Sequence, residues 1–296
     1  MFGFFASVFG YLLSFLYNLV NNYGIAILLF TVVIKLLLIP LSYKQQKTMK
    51  KTAKIQEKMN VIQFKYKNDP EKMNQEIMNL YKNEKMNPFS GCLTTIIQML
   101  LLLSIFYLVK SPVTYMQKLT VEEQDKIQTY LTQMQESGKE ASKVYPEIDL
   151  IREYNLLKEK NPEDETVEKF NINMNFLGLD LSKIPQQNMD DYTVYIIPIL
   201  YIISSFISIK LTTVMQQKQT NNKKVIDGKT GKEDESQADT VMQTNKMMSW
   251  MMPIMSISIA LVAPLGLALY WLLNNVFMIL ERVILDKAIK PEAEEE

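Results

Sequence analysis

The chain has 296 residues with 32 basic and 32 acidic side chains, so net charge selects no partner. There is no histidine and a single cysteine, Cys92, which removes disulfides, Cys/His metal sites and histidine acid–base chemistry. The sequence carries no phosphate-cradling glycine loop, nucleophile elbow or HExxH helix. Neither a cofactor nor a small-molecule substrate is therefore expected, and the composition points away from an enzyme. Hydrophobic content of 48% averages two unlike materials, apolar runs nearly free of charge and long polar segments. Nineteen methionines suit adaptable apolar surfaces, although core packing is their commoner use.

In chain order, residues 1–22 come first, reading FGFFASVFGYLLSFLYNLV over most of their length. They carry no basic n-region and no A-x-A site, so a cleaved signal peptide is not expected. Gly3, Ser7, Gly10, Ser14, Tyr17 and Asn21 step by four and three into one small or polar stripe, with Phe, Leu and Val elsewhere. That pattern predicts an amphipathic helix lying in the membrane interface. The competing reading is a sixth span.

Five spans are predicted, at 23–43, 91–110, 191–211, 246–263 and 265–284. Their apolar cores are about 17 or 18 residues long, near the lower limit for crossing a ~30 Å hydrocarbon layer. At 1.5 Å per residue such cores reach only about 26–27 Å, which suggests local bilayer thinning. Pro40, Pro198 and Pro253 are expected to bend their helices, and Ala263-Pro264-Leu265-Gly266 permits only a tight hairpin between the last two spans. Residues 42–90 carry eleven lysines against five acids, and 210–246 carry seven lysines. The positive-inside rule then puts the N-terminus outside and the C-terminus in the cytosol of a multi-pass plasma-membrane protein.

Four polar segments join or follow the spans. Segment 44–88 reads as a cytosolic helical hairpin, with Ile55, Met59, Ile62 and Tyr66 on one apolar stripe and Met73, Ile77 and Leu80 on the other. Asn68-Asp69-Pro70-Glu71 supplies a turn, an N-cap and a first-turn proline between them. Stripes this narrow cannot build a large core, so the hairpin should be mobile. Segment 111–190 is a long extracellular connection, charged and helical in parts, with no visible chemistry. Segment 212–245 reads as a flexible cytosolic loop, and 285–296 as a short acidic tail.

The spans also carry polar residues at helical spacing. Thr31 and Lys35 share a face of the first, Thr94, Thr95 and Gln98 lie near the start of the second, and Tyr201, Ser204, Ser205 and Ser208 align in the third. Tyr270, Asn274 and Glu281 align in the fifth, with Asn275 beside them. For serines and threonines, helix–helix hydrogen bonding is the ordinary explanation. Lys35 is different, because a lysine at the centre of a membrane helix costs about 2.5–3.5 kcal/mol on insertion scales. Three readings are open for it: a hydrated cavity, an ion pair for which Glu281 is the near candidate, and snorkelling to headgroups about 10 Å away along the axis.

Three stretches carry a family resemblance: NYGIAILLFTVVIKLLLIPLSYKQQKTMKK at 22–51, YKNDPEKMNQEIMNLYKNEKMNPFSGCLTTIIQM at 66–99, and NKMMSWMMPIMSISIALVAPLGLALYWLLNNVFMILERVIL at 245–285. In that order they resemble the YidC family of membrane protein insertases, bacterial relatives of the mitochondrial Oxa and thylakoid insertases. The resemblance runs from about Tyr11 to Asp286, apart from 115–170. It implies an all-α polytopic fold: a five-helix core with a hydrophilic groove open to cytosol and lipid, an interfacial N-terminal helix and a cytosolic hairpin. It also implies insertase and chaperone activity towards nascent membrane proteins in the lipid bilayer, alone or with the Sec translocon. In most members the groove charge is an arginine; Lys35 stands at that position. Lysine keeps the positive charge but lacks the guanidinium fork that captures a carboxylate with two hydrogen bonds. Gln98 matches a groove glutamine, Ser208 falls where many relatives carry glutamine, and Trp271 falls where substrate contacts are attributed. Thr31, Thr94, Tyr270 and Asn274 complete the expected groove lining. Some relatives dock ribosomes through a basic tail; this tail is acidic, so the ribosome is expected at the basic hairpin and loop instead. The chain also lacks the N-terminal lipidation cysteine of many Gram-positive relatives. A channel or transporter subunit is the alternative, disfavoured because Lys35, Gln98 and Asn274 cluster toward the cytosolic half.

Overall fold

Helices α1 (Phe2–Val20) and α2 (Tyr23–Lys65) are joined through Asn21 and Asn22. Asn21 takes φ +46, in the left-handed region that asparagine tolerates better than most residues. Asn22 Oδ1 then accepts the Ile25 N–H at 3.0 Å and caps α2. The chain is described by a computed structural model that covers residues 2–84, 86, 90–219 and 258–289. The remaining elements are α3 (Pro70–Asn83), α4 (Ser90–Lys110), α5 (Pro112–Met116), α6 (Val121–Glu136), α7 (Pro146–Arg152), α8 (Tyr154–Lys160), α9 (Glu165–Glu168), α10 (Ile196–Gln219) and α11 (Leu265–Ala288). Strands β1 (Asn175–Phe176) and β2 (Leu179–Asp180) form an antiparallel hairpin, the one sheet among the described residues.

Among the described residues, four helical segments are long and apolar enough to cross a bilayer: Gly3–Val20, Tyr23–Thr52, Tyr192–Met215 and Leu265–Ala288. Met99–Lys110 is a shorter apolar stretch. The molecule is an all-α polytopic membrane protein. Most of the expected span 246–263, Pro253 with it, lies outside the described residues, as do most of loop 212–245 and the end of the tail. A helical turn at 258–262 precedes the Ala263-Pro264 break, after which α11 begins. Pro40 lies inside α2, which continues through it. Pro198 sits in the first turn of α10, where the missing N–H would have no intrahelical partner, so it opens that helix.

The chain divides into two compact units. The first comprises Met1–Leu37, Gln98–Ser204 and Ser256–Phe277; the second comprises Leu38–Ile97, Ser205–Met255 and Met278–Glu296.

In the first unit, α1 lies against α5. A Cβ on Gly10 would come within 2.1 Å of the Tyr115 carbonyl oxygen, so only glycine permits this approach. Tyr17 is buried too, and its hydroxyl accepts the Asn173 N–H at 2.8 Å. The small stripe of α1 is thus, at Gly10 and Tyr17, a packing seam. Phe4, Val8, Tyr11, Phe15 and Leu19 are exposed on the same helix. Segment 111–190 contributes Tyr130, Met134, Ile148, Leu150, Leu157, Val167 and Phe170, all fully buried, to the hydrophobic core it shares with the apolar helices. The Tyr130 and Phe170 rings meet edge-on at 5.8 Å between centroids. Helix α6 opens with a reciprocal capping box: Thr120 N–H donates to Glu123 at 2.7 Å and Glu123 N–H to Thr120 Oγ1 at 3.2 Å.

In the second unit, the end of α2 and α3 form a helix–turn–helix. Asp69 accepts the Lys72 N–H at 3.1 Å and caps α3, with Pro70 in the first turn. Lys65 and Lys72 flank the Tyr66 ring at 5.2 and 5.5 Å. Ile55 and Leu80 are buried, Tyr81 donates to Met59 Sδ at 3.7 Å, and Lys58 pairs with Glu84.

Candidate functional site

The expected site residues in the first unit come from α2, α4 and α11. On α2, Thr31 is 2% exposed and its hydroxyl donates to the Ile27 carbonyl at 2.7 Å, one turn back. Lys35 follows one turn later, partly buried and with an interaction partner. Gln98 lies on α4. From α11, Tyr270 is buried, whereas Trp271 and Asn274 are partly buried. The Trp271 ring stands 5.9 Å from the ring of Tyr201 on α10. One turn along each helix, Asn275 donates to Ser204 Oγ at 3.5 Å, while Ser204 donates to the Tyr201 carbonyl at 2.8 Å. Polar and aromatic groups thus join α10 to α11, and Tyr201, Ser204 and Asn275 belong with the expected pair Trp271 and Asn274.

Thr94 and Ser208 belong to the second unit. Ser208 is buried, and its carbonyl accepts the Thr212 hydroxyl at 2.7 Å. Arg282 on α11 donates to Thr212, and Gln46 Nε2 donates to the Arg282 carbonyl at 3.3 Å. Lys50 bridges the Asp286 carboxylate at 2.8 Å and donates to the carbonyls of Asp286 and Ile289 at 3.1 and 3.0 Å. A lysine there satisfies the open carbonyls and the partial negative charge at the end of α11. These charged residues escape a sequence reading that treats the helix ends as ordinary basic flanks.

A larger omission is residues 173–183, which fasten the ends of three apolar helices in the first unit. Asn173 donates through its side chain to the Asn21 carbonyl at 3.0 Å, and its own carbonyl accepts the Tyr23 N–H at 2.9 Å. Asn22 donates to the Asn175 carbonyl at 2.6 Å. The Phe176 ring covers Gly24 so closely that a Cβ there would sit 2.4 Å from it. At the other end of the segment, the carbonyls of Leu181 and Lys183 accept the N–H groups of Gly266 and Leu265, both at 2.9 Å, in the first turn of α11. The segment therefore clasps the end of α1 and the beginnings of α2 and α11.

Segment 111–190 is held by buried and paired carboxylates. Glu147, 3% exposed, accepts the N–H groups of Val113 and Thr114 at 2.7 and 3.0 Å and the Thr114 hydroxyl at 2.6 Å. It thereby caps α5 from α7, doing what the Ser111 side chain does not. Burial pushes the Glu147 carboxyl above its ordinary value, and the hydrogen bonds from Thr114, Val113 and Ser111 draw it partly back. Burial works in the same direction on Asp164, but hydrogen bonds from Tyr130, Lys126 and Thr166 outweigh it and hold that carboxyl well below the usual range. Hydrogen bonds from Lys183 and Thr193 bring Asp191 down to about 2.

The chain matches the family described as 60Kd inner membrane protein over residues 15–293. Several curated proteins similar to it are each named Membrane protein insertase YidC. That of Caldanaerobacter subterraneus is 41% identical over 102 residues, 34% of this chain and 50% of the relative. That of Buchnera aphidicola is 47% identical over 102 residues, 34% of this chain and 19% of the relative. That of Syntrophus aciditrophicus is 54% identical over 86 residues, 29% of this chain and 16% of the relative. The matched stretch thus spans half or less of each of these relatives. With the family pattern extending from residue 15 to residue 293, the chain belongs to the 60Kd inner membrane protein family, the YidC/Oxa group.

Proposed function

We propose that this protein is a membrane protein insertase and chaperone of the bacterial plasma membrane. In this reading it receives nascent membrane proteins in a positively charged, cytosol-facing groove and releases their helices into lipid, alone or beside the Sec translocon. The observation that carries the reading is Lys35, a basic residue inside the apolar stretch Tyr23–Thr52 of a chain of this family. Ionisable residues within membrane segments mark polar paths more often than they serve packing. The groove is assigned to Lys35, Thr31, Gln98, Tyr270, Trp271 and Asn274. The N-terminus lies outside and the C-terminus in the cytosol, so the basic helix pair 44–88 and loop 212–245 face the ribosome.

Such a protein needs no nucleotide, because an apolar client helix gains about 0.3–0.6 kcal/mol per Leu or Ile on entering lipid. The barrier lies in moving the client's polar flank. A groove reaching partway across shortens that path, and Lys35 draws in acidic residues of the flank. At ~4 Å and an effective dielectric near 20, the attraction is about 4 kcal/mol before desolvation is subtracted. An incoming carboxylate exchanges with the resting partner of Lys35, which keeps capture reversible.

The test is translocation of an acidic N-tail in proteoliposomes. Lys35→Ala should slow it about tenfold and Lys35→Glu more, since repulsion replaces attraction, whereas Lys35→Arg should retain it. Equal rates for all three variants would end the electrostatic part of the proposal. Photocrosslinking a stalled client from positions 35, 98 and 271 tests the groove, and positions 94 and 208 test whether clients reach the second unit's polar residues.

A further inference from the structure

The hairpin β1–β2 turns through Leu177 and Gly178, at φ +52 and +81. Two successive positive φ values suit Asn-Gly or Gly-Gly. A leucine held there is strained by contact between its Cβ and the following carbonyl. Strain of this kind is ordinarily offset by burial, yet Leu177 is 87% exposed. The chain therefore holds a strained leucine outward without covering it.

The clasp sets the height of this leucine relative to the membrane. The residues flanking the turn are tied to Asn22, Tyr23 and Gly24, where α2 begins its apolar run. Leu181 and Lys183 are tied to the first turn of α11. Strand β2 lies beside the 3-10 turn Tyr192–Tyr195, which opens α10. The tip thus stands at the starts of three helices long and apolar enough to cross a membrane, and at two of them, α2 and α10, the sequence passes there from polar to apolar. Tyr192 is 83% exposed at that level and Met189 is exposed with it. Ile196, Ile199, Leu200 and Ile203 continue the exposed apolar line down α10. Tyrosine belongs at this depth, with its ring among acyl chains and its hydroxyl among headgroups.

We propose that Leu177, with Met189 and Tyr192, inserts into the headgroup–acyl boundary of the bilayer on the side that carries segment 111–190. The occupant of this surface is lipid. The exposed apolar line is continuous with the lipid-facing side of a spanning helix, and transfer of the leucine into lipid offsets the strain of its turn. The clasp is then held from two sides, by hydrogen bonds to α1, α2 and α11 and by the membrane itself. The proposal depends on the spans and not on Lys35 or insertase activity.

The test places a nitroxide on Leu177→Cys, Met189→Cys and, as the aqueous reference, Val144→Cys, an exposed residue outside the clasp. All are made with Cys92→Ser in the full chain, in vesicles of phosphatidylethanolamine and phosphatidylglycerol. Oxygen concentrates in acyl chains and a soluble nickel chelate in water. The oxygen-to-nickel collision ratio should be about threefold or more higher at 177 than at 144, with 189 between them. A ratio at 177 equal to that at 144 overturns the proposal, as does protection from both reagents, which would mean cover by protein or a second copy. If Cys92→Ser does not fold, Leu177→Trp with brominated lipids replaces it. Quenching beyond that of the native tryptophans is then the expected result, and its absence overturns the proposal.

Discussion

Segment 111–190 and the helix pair 44–84 are both charged connectors between apolar helices, and a compositional reading treats them alike. Their interiors differ. The longer segment buries Tyr130, Phe170, Met116, Met134 and several other large side chains completely, caps one helix with a carboxylate from another, and ties its end to α1, α2 and α11. Within the described part of the helix pair only Ile55 and Leu80 are buried, and the Lys58–Glu84 ion pair and the Tyr81–Met59 contact link the two helices. Ordering a residue costs about 1–2 kcal/mol of backbone entropy, which only burial at the first segment's density recovers. One connector is thus a fixed fitting at the membrane surface. The other has the sparse burial that goes with low local stability, as the proposed opening to receive a client would need.

The largest test of this contrast is Glu147→Leu. It leaves the Val113 and Thr114 N–H groups buried without an acceptor and should destabilise segment 111–190 by about 3 kcal/mol. Hydrogen exchange in 111–190 should rise strongly while peptides from 44–84 stay unchanged. A rise confined to 44–84 would reverse the assignment of rigid and mobile parts.

That carboxylate also shows what sequence reasoning reaches. Apolar runs, the Asp69-Pro70 cap and the Lys35 anomaly are local or periodic, and all are legible. The Glu147 cap acts across 33 and 34 residues, and the Asn22–Asn175 bond across 153. No spacing rule reports such contacts. The stripe of α1 was legible as a stripe, but glycine at a water-facing position and glycine beneath a carbonyl look identical in sequence. The β-turn was hidden because Leu177 stands where turn chemistry calls for asparagine. Among the expected site residues, the partial burial of Lys35, Trp271 and Asn274 and the nearness of Tyr201 to Trp271 needed coordinates.

Acid sharpens the same comparison at intermediate size. Asp164 and Asp191 have folded pKa values below the unfolded value of about 3.9. The stability they contribute is present above that value and is lost as pH falls through it toward the folded value, about 2 for Asp191. Glu147 runs the other way. Its folded pKa is raised, so its contribution is full below about 4.3, the unfolded value, and is lost as pH rises through the folded one. On acidification from neutrality, segment 111–190 should therefore tighten slightly and then loosen steeply below about pH 4. Burial raises Asp149 in the same direction, so exchange corrected for intrinsic rates should show both limbs, and Glu147→Gln should shrink only the first.

The smallest expected effect is on the other side of the contrast, at Lys58. Its ion pair with Glu84 links α2 to α3, but the lysine side chain is 62% exposed. An exposed pair gains little, because water screens the attraction and two long side chains lose rotamer freedom; such pairs contribute about 0.2–1 kcal/mol. Lys58→Ala should leave the melting of the whole protein unchanged and raise exchange in 55–84 by no more than about fivefold. Added salt should shrink the difference from wild type, as screening of an exposed pair requires. A large, salt-independent loss of protection would mean that the helix pair has a core as firm as that of segment 111–190. It could not then be the opening part, and the division of labour between the two connectors would have to be abandoned.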